Sequence, residues 1–347
     1  MMHALSAAVV LAVTIGATPP AQQGATAAPA GSSGDAELGD VRRLINAGEP
    51  RQALERLRGL TAGTDDERRH RIALLRGVAH YHADEPASAV EALAPLVGRL
   101  PSDSMERKEA QQVLGLSLFV IGRAADAIPH LEATRAWAPA NDQLGHALGQ
   151  AYIQVQRADE ARDVLATVYG LEPDSAAAHL IAAQIMLRLE QDPLAENELR
   201  RAVSKDPRLP GANILLGQVA LFRGRLDEAV TLTLRELEIN PASAAALSQL
   251  GDAYVRQARW DEAAAALQKS IWLNPYYSAP YILLGRTYQN TQDAPAAEGM
   301  FRRAIEYDPN NRTAHYLLAR LLQQLGRDDE AAREFEIAER LRGTRAP

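Results

Sequence analysis

Six prolines, Pro139, Pro173, Pro207, Pro241, Pro275 and Pro309, stand 34 residues apart in a chain of 347. A fixed period of that length marks a repeat architecture, in which each unit is one supersecondary element that buries its apolar face only against its neighbours. Every assignment made in one unit must then hold in the others. The same grid aligns Gly115, Gly149, Gly217, Gly251 and Gly285, with Ala183 and Ala319 in the gaps. Twelve residues on comes Ala127, Ala161, Ala195, Ala229, Ala263, Ala297 and Ala331, and four further on Leu131, Leu165, Leu199, Thr233, Leu267, Phe301 and Phe335.

Between consecutive prolines lie two stretches with apolar residues at helical spacing, such as Tyr281, Leu284 and Tyr288, then Ala297, Phe301 and Ala304. Each unit is therefore expected to be a helix pair. Gly or Ala in the first helix, facing Ala in the second, lets the two backbones approach. The proline stops the second helix and turns the chain into the next unit, helped by Asp206, Asn240, Asn274 and Asp308 directly before it. Pro86, Pro193 and Pro295 fall at the start of a second helix, and Pro210 and Pro280 in the first turn of a first helix, where a missing donor costs little. Pro95 and Pro129 lie deeper in second helices and predict a late start or a kink.

With these columns, and with Leu250-Gly251-Asp252-Ala253-Tyr254 and Leu284-Gly285-Arg286-Thr287-Tyr288, the chain resembles the tetratricopeptide-repeat family. Full units begin at 108, 142, 176, 210, 244, 278 and 312. Degenerate ones cover 34–69 and 70–107, the latter ending in a four-residue insertion, Ser104 to Arg107. The resemblance implies an all-α fold, an α-solenoid of helix hairpins forming a right-handed superhelix over 35–347, with the first helices on the concave face.

The amino terminus is unlike the rest. Residues 1–34 hold no Asp, Glu, Lys or Arg and open with an apolar run from Ala4 to Gly16. That run is too short to span a bilayer but matches the apolar stretch of a secretory signal. We expect 1–27 to be a signal peptide or a disordered apolar leader and 28–34 an Ala/Pro/Gly/Ser linker. The expected location is accordingly periplasmic or secreted, the alternative being cytoplasmic, with no stable membrane span.

With 44 acids against 37 bases the chain lacks the basic field that a phosphate backbone requires, so nucleic acid is not an expected partner. The absence of cysteine excludes disulfides, thiolate catalysis and lipid attachment through cysteine. No G-x-G-x-x-G, G-x-x-x-x-G-K-[ST], H-E-x-x-H or G-x-S-x-G motif occurs. His130-Leu131-Glu132 lacks the cysteines that a zinc deaminase would add. His80 and His82, with Asp84 and Glu85, are the best metal candidates, yet residues two apart on a helix point in different directions. His179 and His315 share a column with Tyr281 and Leu247 and read as packing. No enzyme activity, cofactor or metal is expected.

By the resemblance, the concave lining includes the column Leu116, Gln150, Gln184, Gln218, Asp252, Arg286 and Arg320. Four residues earlier come Leu180, Ile214, Ile282 and Tyr316, and three residues later Leu187, Leu221 and Gln289. Phe222 and Asn290 join them. The middle of this trough is apolar between glutamines, suited to an extended or helical peptide, and its carboxyl end is cationic, suited to acids. The family's carboxylate-clamp type uses a Lys and Asn pair where this chain has Leu, Ile, Gln or Ser, which disfavours chaperone tails. The expected function is a non-enzymatic scaffold or adaptor holding a peptide or protein segment in the groove. The alternative is a structural subunit of an envelope or polysaccharide-export assembly, and further off the non-catalytic part of a glycosyltransferase or peptidase system. A monomer is compatible with the polar last helix, Asp328 to Leu341.

Overall fold

The computed structural model describes residues 33–343, and these form eighteen helices and no strand. The expected leader, linker start and extreme carboxyl terminus lie outside the described residues. Contacts divide the chain into two compact units, one ending at Pro173 and the other beginning at Asp174. In the first, α1 (Ser33–Asn46) pairs with α2 (Pro50–Arg58), α3 (Asp66–His82) with α4 (Pro86–Val97), α5 (Met105–Val120) with α6 (Ala124–Trp137), and α7 (Asp142–Gln154) with α8 (Ala158–Val168). In the second, α9 (Ala176–Arg188) pairs with α10 (Asp192–Lys205), α11 (Ala212–Phe222) with α12 (Leu226–Ile239), and α13 (Ala244–Arg256) with α14 (Trp260–Leu273). Two more hairpins complete it: α15 (Ser278–Asn290) with α16 (Ala294–Tyr307), and α17 (Arg312–Gln324) with α18 (Asp328–Gly343).

The columns are the hairpin contacts. Ala127, Ala161, Ala195, Ala229, Ala263 and Ala297 are fully buried, as are Leu131, Leu165, Leu199, Leu267 and Phe301. A Cβ on Gly251 would lie 2.5 Å from the Leu267 side chain, and one on Gly285 would lie 2.6 Å from the Phe301 ring. The small column is thus a condition for close packing. Thr233, the exception among bulky residues, donates to the Ala229 carbonyl at 2.7 Å and accepts from Gln249 at 2.9 Å. Gln249 also reaches the Ile214 carbonyl at 3.1 Å, so a polar tie replaces apolar packing there.

Each hairpin turns on one left-handed residue in the same place of the repeat: Gly48, Asp84, Gly122, Gln156, Glu190, Gly224, Ala258, Gln292 and Gly326, all at positive φ. The next amide then returns to a carbonyl five residues back, as from Arg157 to Tyr152 at 2.8 Å and from Arg259 to Tyr254 at 2.9 Å, which closes the helix end. First helices start on side-chain caps: Ser104, Asn141, Ser175, Ser243 and Asn311 each accept from the amide three residues on.

Two expectations about prolines change. Pro95 and Pro129 lie inside α4 and α6, which start on time at Pro86 and Ala124, so neither delays its helix. Pro210 precedes its helix: Gly211 at φ 85° holds the N-cap position, and the buried Glu236 carboxylate accepts the Gly211 amide at 3.0 Å in place of a local cap. The Ser104 to Arg107 insertion is absorbed as an extra turn at the start of α5, capped by Ser104.

Within each unit the first helices of successive hairpins touch, α1 with α3, α3 with α5 and α5 with α7 in one, α11 with α13, α13 with α15 and α15 with α17 in the other. Second helices make no comparable contact among the described residues. The first helices therefore form the inner side of each stack.

Candidate functional site

In the second unit the first helices are α9, α11, α13, α15 and α17, and they carry all the sequence-predicted groove residues except Leu116 on α5 and Gln150, half-buried on α7, which belong to the first unit. Gln184 and Gln218 are exposed, and Leu180, Leu187, Ile214 and Ile282 are half-buried. Phe222, at the end of α11, leaves 73% of its surface open. Leu221 is a correction: it is 6% exposed, and in the same column Ile153 and Val255 are buried too. Although it lies one turn from Gln218, its side chain is taken up by packing, so Leu221 is core and offers a ligand nothing, whereas Leu187 of the same column stays half-buried.

Toward α17 the face turns polar. Asp252 is engaged with Arg256 through two contacts, 3.1 and 2.8 Å, while Arg256 also donates to the Leu221 carbonyl at 3.1 Å. Its charge is spent locally and α13 is tied to the end of α11. Arg286 and Arg320 are exposed and have no carboxylate partner among the described residues. Asn290 donates to the Arg286 carbonyl at 2.8 Å, and Gln289 donates to Gln324 at 3.0 Å. Gln289, Asn290, Leu317, Arg320 and Gln324 line a cleft of about 320 Å³ without a single acid. Tyr316 is 42% exposed and stands edge-on to Phe335 at 5.8 Å between centroids. Sequence reasoning missed Arg256 and Gln324, although a signal was there: both occupy the column of Phe222 and Asn290, one 34-residue step away.

The histidines are structural. His179 is fully buried, with Nδ1 2.7 Å from Glu198 and Nε2 3.1 Å from Asp174. His315 repeats the pairing with Glu334 at 2.6 Å, and its Nε2 donates to the Pro309 carbonyl at 3.0 Å. Asn213 and Tyr281, in the same column, donate likewise to the carbonyls of Pro207 and Pro275. This column therefore pins α11, α15 and α17 to the proline joints before them. His80 meets Glu85 at 2.7 Å, and no three His, Asp or Glu side chains converge on a metal-sized site among the described residues. Glu132 accepts from the Tyr152 hydroxyl; burial, and then this hydrogen bond, push that hydroxyl's pKa up.

Two family models, both described as tetratricopeptide repeat, match the sequence: one at residues 39–104, 190–244, 214–278 and 282–346, the other at 122–185. The chain belongs to the tetratricopeptide-repeat family. Tetratricopeptide-repeat proteins bind protein partners, generally without catalysis, and this fold supports a protein-interaction role here. No curated protein matches the sequence significantly. Similar solved structures include MamA 41-end from Desulfovibrio magneticus RS-1, at 20% identity over 50% of this chain and 98% of that one, with a TM-score of 0.45. PilF of Pseudomonas aeruginosa is 20% identical over 58% of this chain and 92% of that one, with a TM-score of 0.47. A chain of the APC/C hetero-tetramer Cut9-Hcn1 is 17% identical over 84% of this chain and 56% of that one, with a TM-score of 0.44.

Proposed function

We propose that this tetratricopeptide-repeat chain is a non-catalytic adaptor that holds a peptide segment of a partner protein along the inner side of its second unit. The reading is carried by one observation: an open Phe222 and half-buried Leu180, Leu187, Ile214 and Ile282 lead toward an acid-free cleft that includes Asn290 and Arg320, with Arg286 one turn away. Apolar surface followed by unpaired guanidinium groups fits a segment with an apolar side chain near one end and carboxylates near the other. Export belongs to the same proposal, supported by the apolar Ala4 to Gly16 run, and no described helix is long and apolar enough to cross a membrane.

The test is selection of binders from a random peptide library on the full chain. Selected peptides should pair an apolar residue with downstream acids. Affinity should fall at least tenfold in Arg286→Glu with Arg320→Glu, since each lost charge-assisted contact is worth about 1.5–3 kcal/mol, and again in Phe222→Ala. Equal affinity for the unaltered chain and both variants refutes the site. Fractionation of cells making the whole sequence checks export, and protein retained in the cytoplasm removes that part.

A further inference from the structure

The second unit carries a second surface, on the side away from the groove. Its helices α10, α12, α14 and α16 place a cation in one column, Arg201, Arg235, Lys269 and Arg303, each exposed and 34 residues from the last. Arg201 reaches Glu198 at 3.2 Å and Arg303 reaches Glu306 at 3.6 Å, while Arg235 and Lys269 pair with no carboxylate among the described residues. Uniform placement over four hairpins makes this a row rather than four unrelated side chains.

Aromatic rings stand in the same row. Trp272 lies one turn after Lys269 and is 80% exposed; Tyr276, at the following joint, is 78% exposed. Tyr276 sits edge-on to Tyr307 at 5.7 Å, and Arg303 donates to the Tyr307 hydroxyl at 3.4 Å. In a chain with 5% aromatic residues, this is a concentration of rings on open surface. Two repeats earlier the same joint opens as a cleft of about 380 Å³, with Val203, Pro207 and Ile239 as its apolar part and Arg208, Arg235 and Glu238 as its charged part.

We propose that this face docks on an anionic phospholipid surface, with Arg235 and Lys269 toward headgroup phosphates and Trp272 and Tyr276 at the level of the interface. Trp and Tyr are amphipathic rings that settle where apolar and aqueous phases meet, and each Lys or Arg near such a surface adds to the attraction. The cleft beside Arg235 offers apolar and cationic parts next to one another, the two chemistries of a phospholipid. The rings protrude rather than fill pockets. A deformable bilayer accepts such protrusions anywhere along it, whereas a folded acidic partner needs matching cavities. Glu238 and Glu306, with the overall charge of −7, oppose the attraction and make it dependent on ionic strength.

The experiment is vesicle co-sedimentation of the full chain with phosphatidylglycerol–phosphatidylcholine vesicles and with phosphatidylcholine alone, at low and high salt. The unaltered chain should bind the anionic vesicles, release in salt, and ignore the neutral ones. Arg235→Gln with Lys269→Gln should weaken binding about thirtyfold, and Trp272→Ala with Tyr276→Ala should weaken it at low salt although both cations remain. Every variant keeps residues 1–32, so a loss assigns binding to this face and not to the apolar leader. No binding, equal binding to neutral vesicles, unchanged binding by both variants, or capture by an acidic protein with none by vesicles overturns the proposal. Peptide capture in the groove should be the same in all these variants, which keeps the two readings separable.

Discussion

At the scale of the residue, the left-handed turn position is the sharpest local demand of the repeat. Gly48, Gly122, Gly224 and Gly326 meet it freely, but Ala258 holds φ 57°, where its Cβ crowds the following carbonyl. That conformation costs an L-residue about 1–2 kcal/mol, of which glycine's greater freedom when unfolded takes back up to about 1 kcal/mol. Ala258→Gly should therefore stabilise by about 0.5–1 kcal/mol, read as a higher midpoint in urea. A lower midpoint would mean that the Ala258 methyl packs more than it strains. The column was in the sequence from the start, yet asparagine is absent from it and glycine fills only some places, so the residues did not announce their shared backbone.

The element scale is governed by joints between hairpins. Glu196, 6% exposed on α10, holds Arg200 at 2.8 Å in its own helix and reaches across to Arg225 at 2.8 Å and Arg223 at 2.5 Å. Glu298 repeats this three periods later, with Arg302 at 2.8 Å and Arg327 at 2.6 Å. Burial by itself would raise the Glu196 carboxyl, but the hydrogen bonds from Arg225 and Arg200 and the charge of Arg223 outweigh it and hold the group below the usual glutamate range. A carboxyl depressed on folding stabilises at pH above its unfolded value of about 4.3, and that stability is lost as pH falls through the folded value. The urea midpoint of the unaltered chain should thus drop on going from about pH 6 to about pH 3. Glu196→Gln should begin lower and fall less steeply; parallel curves would dismiss the linkage. In the sequence, i,i+4 spacing reveals the partner within a helix and not the arginine of the next hairpin.

For the whole molecule, stability is a chain of neighbouring contacts within each unit, since a hairpin packs mainly on the ones beside it. Gly285→Ala drives a methyl against the stiff Phe301 ring and should cost about 1–3 kcal/mol. Hydrogen exchange should place the damage: amides of α15 to α18 lose protection most, those of α11 less, and those of α3 to α8 keep theirs. Uniform loss along the chain would show one cooperative block instead. The period by itself determined that the chain is all helix, where each hairpin begins and which residues meet inside it, because a repeat multiplies each weak local signal by the number of copies. What only the tertiary structure decided lies between copies: that Leu221 is core, that Asp252 is neutralised by Arg256, that Gln324 completes the cleft of Asn290 and Arg320, and that the contacts break at Pro173. Those outcomes depend on the angle at which one hairpin leans on the next, and that angle is set by side chains a full period apart.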